Sequence, residues 1–150
     1  MNILVFLFAF LFLSNNADFI STIDSNRDVV EIRLEGNDQI RFNLSEIKVK
    51  AGDTVKLTLA HVGKLDKTVM GHNFVLLKQG TDMADFATRA AQARENEYIP
   101  EGDDIIAHTE LVGGGEETTI EFEAPAAGTY DFICSFAGHY FIMKGKFIVE

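Results

Sequence analysis

Cys134, His139 and Met143 place a thiol, an imidazole and a thioether within the single stretch Cys134-Ser135-Phe136-Ala137-Gly138-His139-Tyr140-Phe141-Ile142-Met143, and Cys134 is the only cysteine of the chain. A soft sulfur, a borderline nitrogen and a weak second sulfur form the donor set that selects a copper ion able to move between its two oxidation states. A lone cysteine otherwise signals pairing with another chain or a reactive thiol. Cys134 as a nucleophile with His139 as its base is a legitimate chemical alternative. The spacing argues against it, because thiol enzymes bring the histidine from a distant segment rather than from the same tight loop.

A copper centre of this kind needs a second histidine in the metal plane. Three compete with His139. His72 sits in Met70-Gly71-His72-Asn73-Phe74, where glycine lets the backbone approach closely and a strand is about to begin. His61 and His108 fall within alternating runs and read as structural or surface histidines.

The frame around these donors reads as β structure. Val30, Ile32 and Leu34 alternate with charged residues, and Gly36-Asn37-Asp38 makes a turn. Ile40, Phe42 and Leu44 begin a second strand that continues irregularly to Ile47 and Val49, and Val55, Leu57 and Leu59 form a third. Further strands are expected at 73–77, 105–111, 118–123 and 130–134, with Phe147 and Val149 in the last. About eight short strands with long crossovers predict an all-β Greek-key sandwich. One segment departs from this: Asp82 to Glu97 is dense in alanine and predicts an inserted helix, capped by Thr81 or Asp82 and stopped before Pro100.

The chain has 150 residues with 13 basic against 23 acidic, a formal charge of −10. That balance excludes phosphate-backbone binding, which requires basic patches, and favours a basic docking partner. Ile3 to Leu13 is an unbroken apolar run of 11 residues, too short to span a bilayer and followed by Ser14-Asn15-Asn16-Ala17. It reads as a signal peptide over 1–17, with a single domain over 18–150 and a periplasmic destination.

Three segments together carry a family resemblance: Thr68 to Leu76, Ile106-Ala107-His108-Thr109-Glu110-Leu111, and Phe132 to His139 with Met143-Lys144-Gly145. Over about residues 29 to 150 the chain resembles the azurin family of blue-copper proteins. The resemblance implies a cupredoxin-like sandwich and one type 1 copper ion held in plane by His72, Cys134 and His139, with Met143 and the Gly71 carbonyl on the axis. It further implies that the backbone N–H groups of Asn73 and Phe136 donate to the Cys134 sulfur, and that the Asn73 side chain ties the two ligand loops. It implies an apolar docking rim, for which Met70, Ala137 and Tyr140 are the candidates with Met83 nearby. His61 matches a partly buried histidine of the family and His108 a surface one.

The function implied is single-electron transport by a monomer, rather than enzymatic catalysis, between redox proteins such as a cytochrome, a reductase or an oxidase. A copper storage or delivery protein is the alternative. The chain departs from the family in lacking its disulfide, in Phe74 for a tryptophan, in Ala137 for a proline and in Tyr140 for a small residue.

Overall fold

The computed structural model describes residues 28–150; the expected signal segment lies outside them. Val29–Asn37 (β1) has the expected alternation, and its inward side chains face the same interior as those of Thr54–His61 (β4). The two strands run parallel, in register from Val29 against Thr54 to Gly36 against His61. Arg41–Phe42 (β2) and Glu117–Glu123 (β7) flank them, giving a sheet of order β2-β1-β4-β7.

The second sheet has the order β3-β9-β8-β5-β6, from Glu46–Val49 (β3), Lys144–Val149 (β9), Gly128–Ile133 (β8), Val75–Leu77 (β5) and Ile105–His108 (β6). The all-β sandwich expected from the sequence is thus present with nine strands among the described residues. The extra one arises because the run from Ile40 to Val49 breaks at Asn43 to Ser45 and serves both sheets, β2 in one and β3 in the other. Ile40 is left-handed at φ 58°, a conformation that a β-branched residue adopts only under constraint.

Leu34, Val55, Leu57 and Leu59 from the first sheet meet Ile47, Phe74, Leu76, Phe132 and Phe147 from the second. This interior includes Phe74, the departure from tryptophan, which is fully buried with its ring centroid 5.5 Å from that of Phe132.

The outer face of the second sheet is also dry, because Val75, Leu77 and Ile133 are covered by Phe86 and Ala90 of the inserted helix Met83–Gln92 (α2). Phe86 alone is worth about 1.5–3 kcal/mol of burial. The Asp82 carboxylate caps α2 by accepting from the Ala84 and Asp85 N–H groups. The helix ends five residues before the expected Glu97, passing through a 3-10 turn at Arg94–Asn96 into two left-handed residues. A short helix, Lys67–Met70 (α1), carries no apolar periodicity and was not legible in the pattern.

Candidate metal centre

Cys134 follows β8 directly and Met143 precedes β9 directly, so an antiparallel pair anchors both ends of the loop that carries His139. The loop closes on itself through Cys134 N–H to the Met143 carbonyl at 2.9 Å and Met143 N–H to the His139 carbonyl at 2.8 Å. His72 arrives from the segment before β5, where it exchanges two backbone hydrogen bonds with Val112 at 2.9 and 2.8 Å. Gly71 beside it is tightly enclosed: a Cβ there would lie 2.5 Å from the Lys67 carbonyl and 2.8 Å from Leu111 Cδ2.

These segments bring three of the predicted donors together. Cys134 Sγ lies 3.9 Å from His72 Nδ1 and 3.6 Å from His139 Nδ1, and the three donor atoms lie within 4.8 Å of one another. Metal–nitrogen and metal–sulfur bonds of about 2.0 and 2.3 Å, set at trigonal angles, would separate nitrogen from sulfur by about 3.7 Å. The cluster therefore fits one small metal ion between its three donors. The Gly71 carbonyl oxygen is 3.9 Å from the same sulfur. Met143 is fully buried, with its methyl and the His72 ring both packed over Gly36.

The orientation of His72 is fixed from behind. Its Nε2–H donates to the Asn37 carbonyl at 2.9 Å, which leaves the Nδ1 lone pair for a metal. The same carbonyl accepts the Ile40 N–H, so the strained turn after β1 serves as the orienting group. His61 stacks on the His72 ring at 4.4 Å and is itself buried, held by the Met70 carbonyl and the Gly63 N–H. His108 is exposed at the end of β6.

Burial pushes the Cys134 thiol up to about 12, against the opposing effect of the Asn73 and Phe136 N–H groups that donate to it. Burial also lowers both ligand-side imidazoles, His72 and His139, to about 4. At neutral pH the metal-free cluster is therefore one thiol and two neutral imidazoles. A divalent ion must displace one proton, from sulfur. Loading should release one proton per ion between pH 6 and 8, measured with a pH indicator. Apparent affinity should rise about tenfold per pH unit in that range, and fall more steeply once the imidazoles protonate near pH 4.

Asn73 is fully buried. Its Oδ1 accepts the Ser135 N–H at 2.8 Å, while its Nδ2 donates to Ser135 Oγ at 2.9 Å. Around the loop, Ala137 is exposed and Met70 is half-buried. Tyr140 is half-buried and packs, with Met83, against the cluster under α2. The strongly exposed apolar side chains near the ligands are Phe141, Ile142 and Val69, at 67%, 56% and 62%. Sequence reading passed over them because nothing in the pattern distinguishes an exposed phenylalanine from a core one.

Gly36 was read only as a turn residue. In β1 it faces the centre, and a Cβ there would stand 2.6 Å from His72 Cδ2 and 2.8 Å from Met143 Cε. Gly36→Ala should displace one or both side chains, lower copper affinity and cost about 1–3 kcal/mol, read by copper titration and denaturant unfolding.

A buried His-Cys-His cluster on an all-β sandwich is a cupredoxin-type copper site. The sequence model of copper binding proteins of the plastocyanin/azurin family matches residues 29–150, and the chain belongs to that family, with copper as its cofactor. It is 39% identical over 126 residues to azurin from Pseudomonas chlororaphis, spanning 80% of this chain and 98% of the other. It is 42% identical over 118 residues to azurin from Pseudomonas fluorescens biotype B, spanning 75% and 91%. Among solved structures, auracyanin A from Chloroflexus aurantiacus, a "blue" copper protein, superposes with a TM-score of 0.75 at 33% identity, covering 81% of this chain and 99% of the other.

Proposed function

We propose that the protein carries single electrons between redox partners by means of one copper ion, which His72, Cys134 and His139 would hold with Met143 and the Gly71 carbonyl as further donors. The observation that carries this reading is the enclosure of the cluster. His72 and Cys134 are fully buried and His139 is 4% exposed, so water would be kept from an ion bound between them. Bound copper would supply a one-electron couple, and a weak thioether donor from Met143 would suit both of its states. His139 begins the turn that also carries Phe141, and an exposed apolar shelf of this kind marks a docking surface. Met70, Ala137 and Tyr140 belong to this rim in our reading, joined by Phe141, Ile142 and Val69.

The test is voltammetry combined with a chelator challenge. A carrier should give a reversible one-electron wave and retain copper(I) against a high-affinity chelator over the time of many turnovers. Rapid loss of copper(I) to the chelator would instead identify a delivery protein. Met143→Leu should keep the copper and raise the reduction potential, because the weaker axial donor stabilises the oxidised ion less. An unchanged voltammogram would remove Met143 from the ligand set.

We further assign residues 1–17 to a signal peptide and the protein to the periplasm, on the strength of the Ile3–Leu13 run. Mass spectrometry of the mature chain should find Asp18 as its first residue. Among the described residues no helix is long and apolar enough to cross a membrane. A cytochrome, reductase or oxidase with a basic docking face would suit the formal charge of −10.

A further inference from the structure

We infer that the left-handed pair Glu97-Tyr98, at the end of the helical insertion, is a positioning device that sets the hydrogen bonds received by the Cys134 sulfur. The inference rests on the copper reading above for its consequence, and on this structure alone for its geometry. Both residues sit at positive φ, 52° and 64°, a conformation that neither side chain favours and that surrounding structure must hold in place.

The turn aims both of its carbonyls inward. The Glu97 carbonyl accepts from Asn73 Nδ2 at 3.2 Å, and the Tyr98 carbonyl accepts from Ser135 Oγ at 2.8 Å. Each of those side chains bonds the other. The turn thus closes a network that spans the His72 segment, the Cys134 loop and the insertion, and every member is internally paired. The Tyr98 ring, 7% exposed, lies against Phe136 with centroids 4.6 Å apart, and Phe136 lies against His139 at the same distance. The Glu97 carboxylate reaches in a third direction and accepts the Leu111 N–H at 3.0 Å. Leu111 is the side chain that packs over Gly71.

Two of these contacts, to Asn73 and to the Phe136 ring, end on residues that bond the sulfur, and the other two end beside them, on Ser135 next to Cys134 and on Leu111 over Gly71. Asn73 and Phe136 supply the two N–H groups that donate to Cys134, and Gly71 supplies the nearby carbonyl. Hydrogen bonds to a ligating sulfur withdraw charge from it and tune the metal's potential. Tyr98 touches no donor atom in any of these contacts. It acts through Phe136, backing the ring so that the Phe136 N–H stays on the sulfur. The helix cover over the second sheet consequently reaches the centre through two residues.

The experiment uses Tyr98→Leu, which keeps an apolar side chain and removes the stacked ring, and Tyr98→Phe, which keeps the ring. In the metal-free proteins, amide hydrogen exchange of Phe136 should be at least about tenfold faster in Tyr98→Leu once normalised to Leu57, a core amide that reports global opening. In the copper proteins, Tyr98→Leu should show a lower reduction potential and a shifted charge-transfer band, and Tyr98→Phe should restore both. If Tyr98→Leu does not fold, Tyr98→Met takes its place with the same expectations, since methionine adapts to irregular gaps.

Exchange at Phe136 that changes only in step with Leu57 would overturn the inference, as would an unchanged potential in a variant whose Phe136 exchange has quickened. A wild-type chain that takes up no copper would remove the copper reading. The exchange comparison in metal-free protein would still decide whether the turn holds Phe136.

Discussion

Cys134→Ser should fold, lose the intense blue absorption of the copper(II) form, and gain no stability from added copper. The reason is chemical rather than steric. A serine hydroxyl occupies almost the same space, but it is a hard donor that does not ionise in this range and cannot transfer charge to copper as a thiolate does. In the native protein the sulfur is the donor shared by both short approaches, 3.6 Å to His139 Nδ1 and 3.9 Å to His72 Nδ1. Without it two imidazoles remain, joined by whatever the Met143 thioether and the Gly71 carbonyl contribute.

Thermal unfolding with and without copper measures the consequence. A ligand present at 1,000 times its dissociation constant stabilises the folded state by about 4 kcal/mol, and this increment should be present in the wild type and absent in the variant. The metal-free forms should differ far less, because the hydroxyl can turn toward the Gly71 carbonyl. A variant that stayed blue would end the assignment of Cys134, and with it the copper reading of the whole cluster.

The loop that carries Cys134, His139 and Met143 was legible in the sequence because these residue types, a thiol, an imidazole and a thioether, are close along the chain. His72 was legible for a different reason: the glycine before it lets the backbone approach closely, and a strand begins just after it. The Asn73 side chain pairs with Ser135. The groups that orient the donors were not legible. Asn37 supplies its carbonyl to His72, and a backbone carbonyl leaves no trace in residue type.

Gly36 looked like one more turn glycine. Its role depends on the parallel register of β1 and β4, which sets Gly36 against His61 and so beside the His72 ring that His61 stacks on. Periodicity gives the faces of a strand and says nothing about which strand lies next to it. The single strand expected from Ile40 to Val49 failed for the same reason, since a chain that crosses between two sheets keeps its apolar alternation on both sides of the break. The length of α2 was missed because alanine content favours helix through Ala93, while the left-handed turn at Glu97 and Tyr98 is stabilised by contacts with Asn73, Ser135 and Phe136, all distant in sequence.

Asn73→Ala should destabilise the protein by about 2–4 kcal/mol, and the loss should appear in the metal-free form as well as in the copper form. The side chain is fully buried; its Oδ1 accepts from the Ser135 N–H and lies within reach of the Ser135 hydroxyl, and its Nδ2 donates to Ser135 Oγ and to the Glu97 carbonyl. Alanine would leave the Ser135 N–H and the Glu97 carbonyl facing a void too small to hydrate well. An orphaned buried group costs about 1–3 kcal/mol, whereas the net worth of a paired bond is nearer 1 kcal/mol. For a domain of this length the fall in midpoint should be about 8–15 °C.

Ser135→Ala gives the control, because it removes the Oγ contacts to Asn73 and Tyr98 but leaves the Ser135 N–H paired to Asn73 Oδ1. Its cost should be smaller, and the double variant should lose less than the two single losses combined, since the groups share one network. Strict additivity would show that Asn73 and Ser135 do not act as a unit, and the two ligand loops would then owe their spacing to the surrounding strands alone. Copper should recover only part of the Asn73→Ala loss, because the metal draws His72 and Cys134 together but cannot supply a partner for the Ser135 N–H.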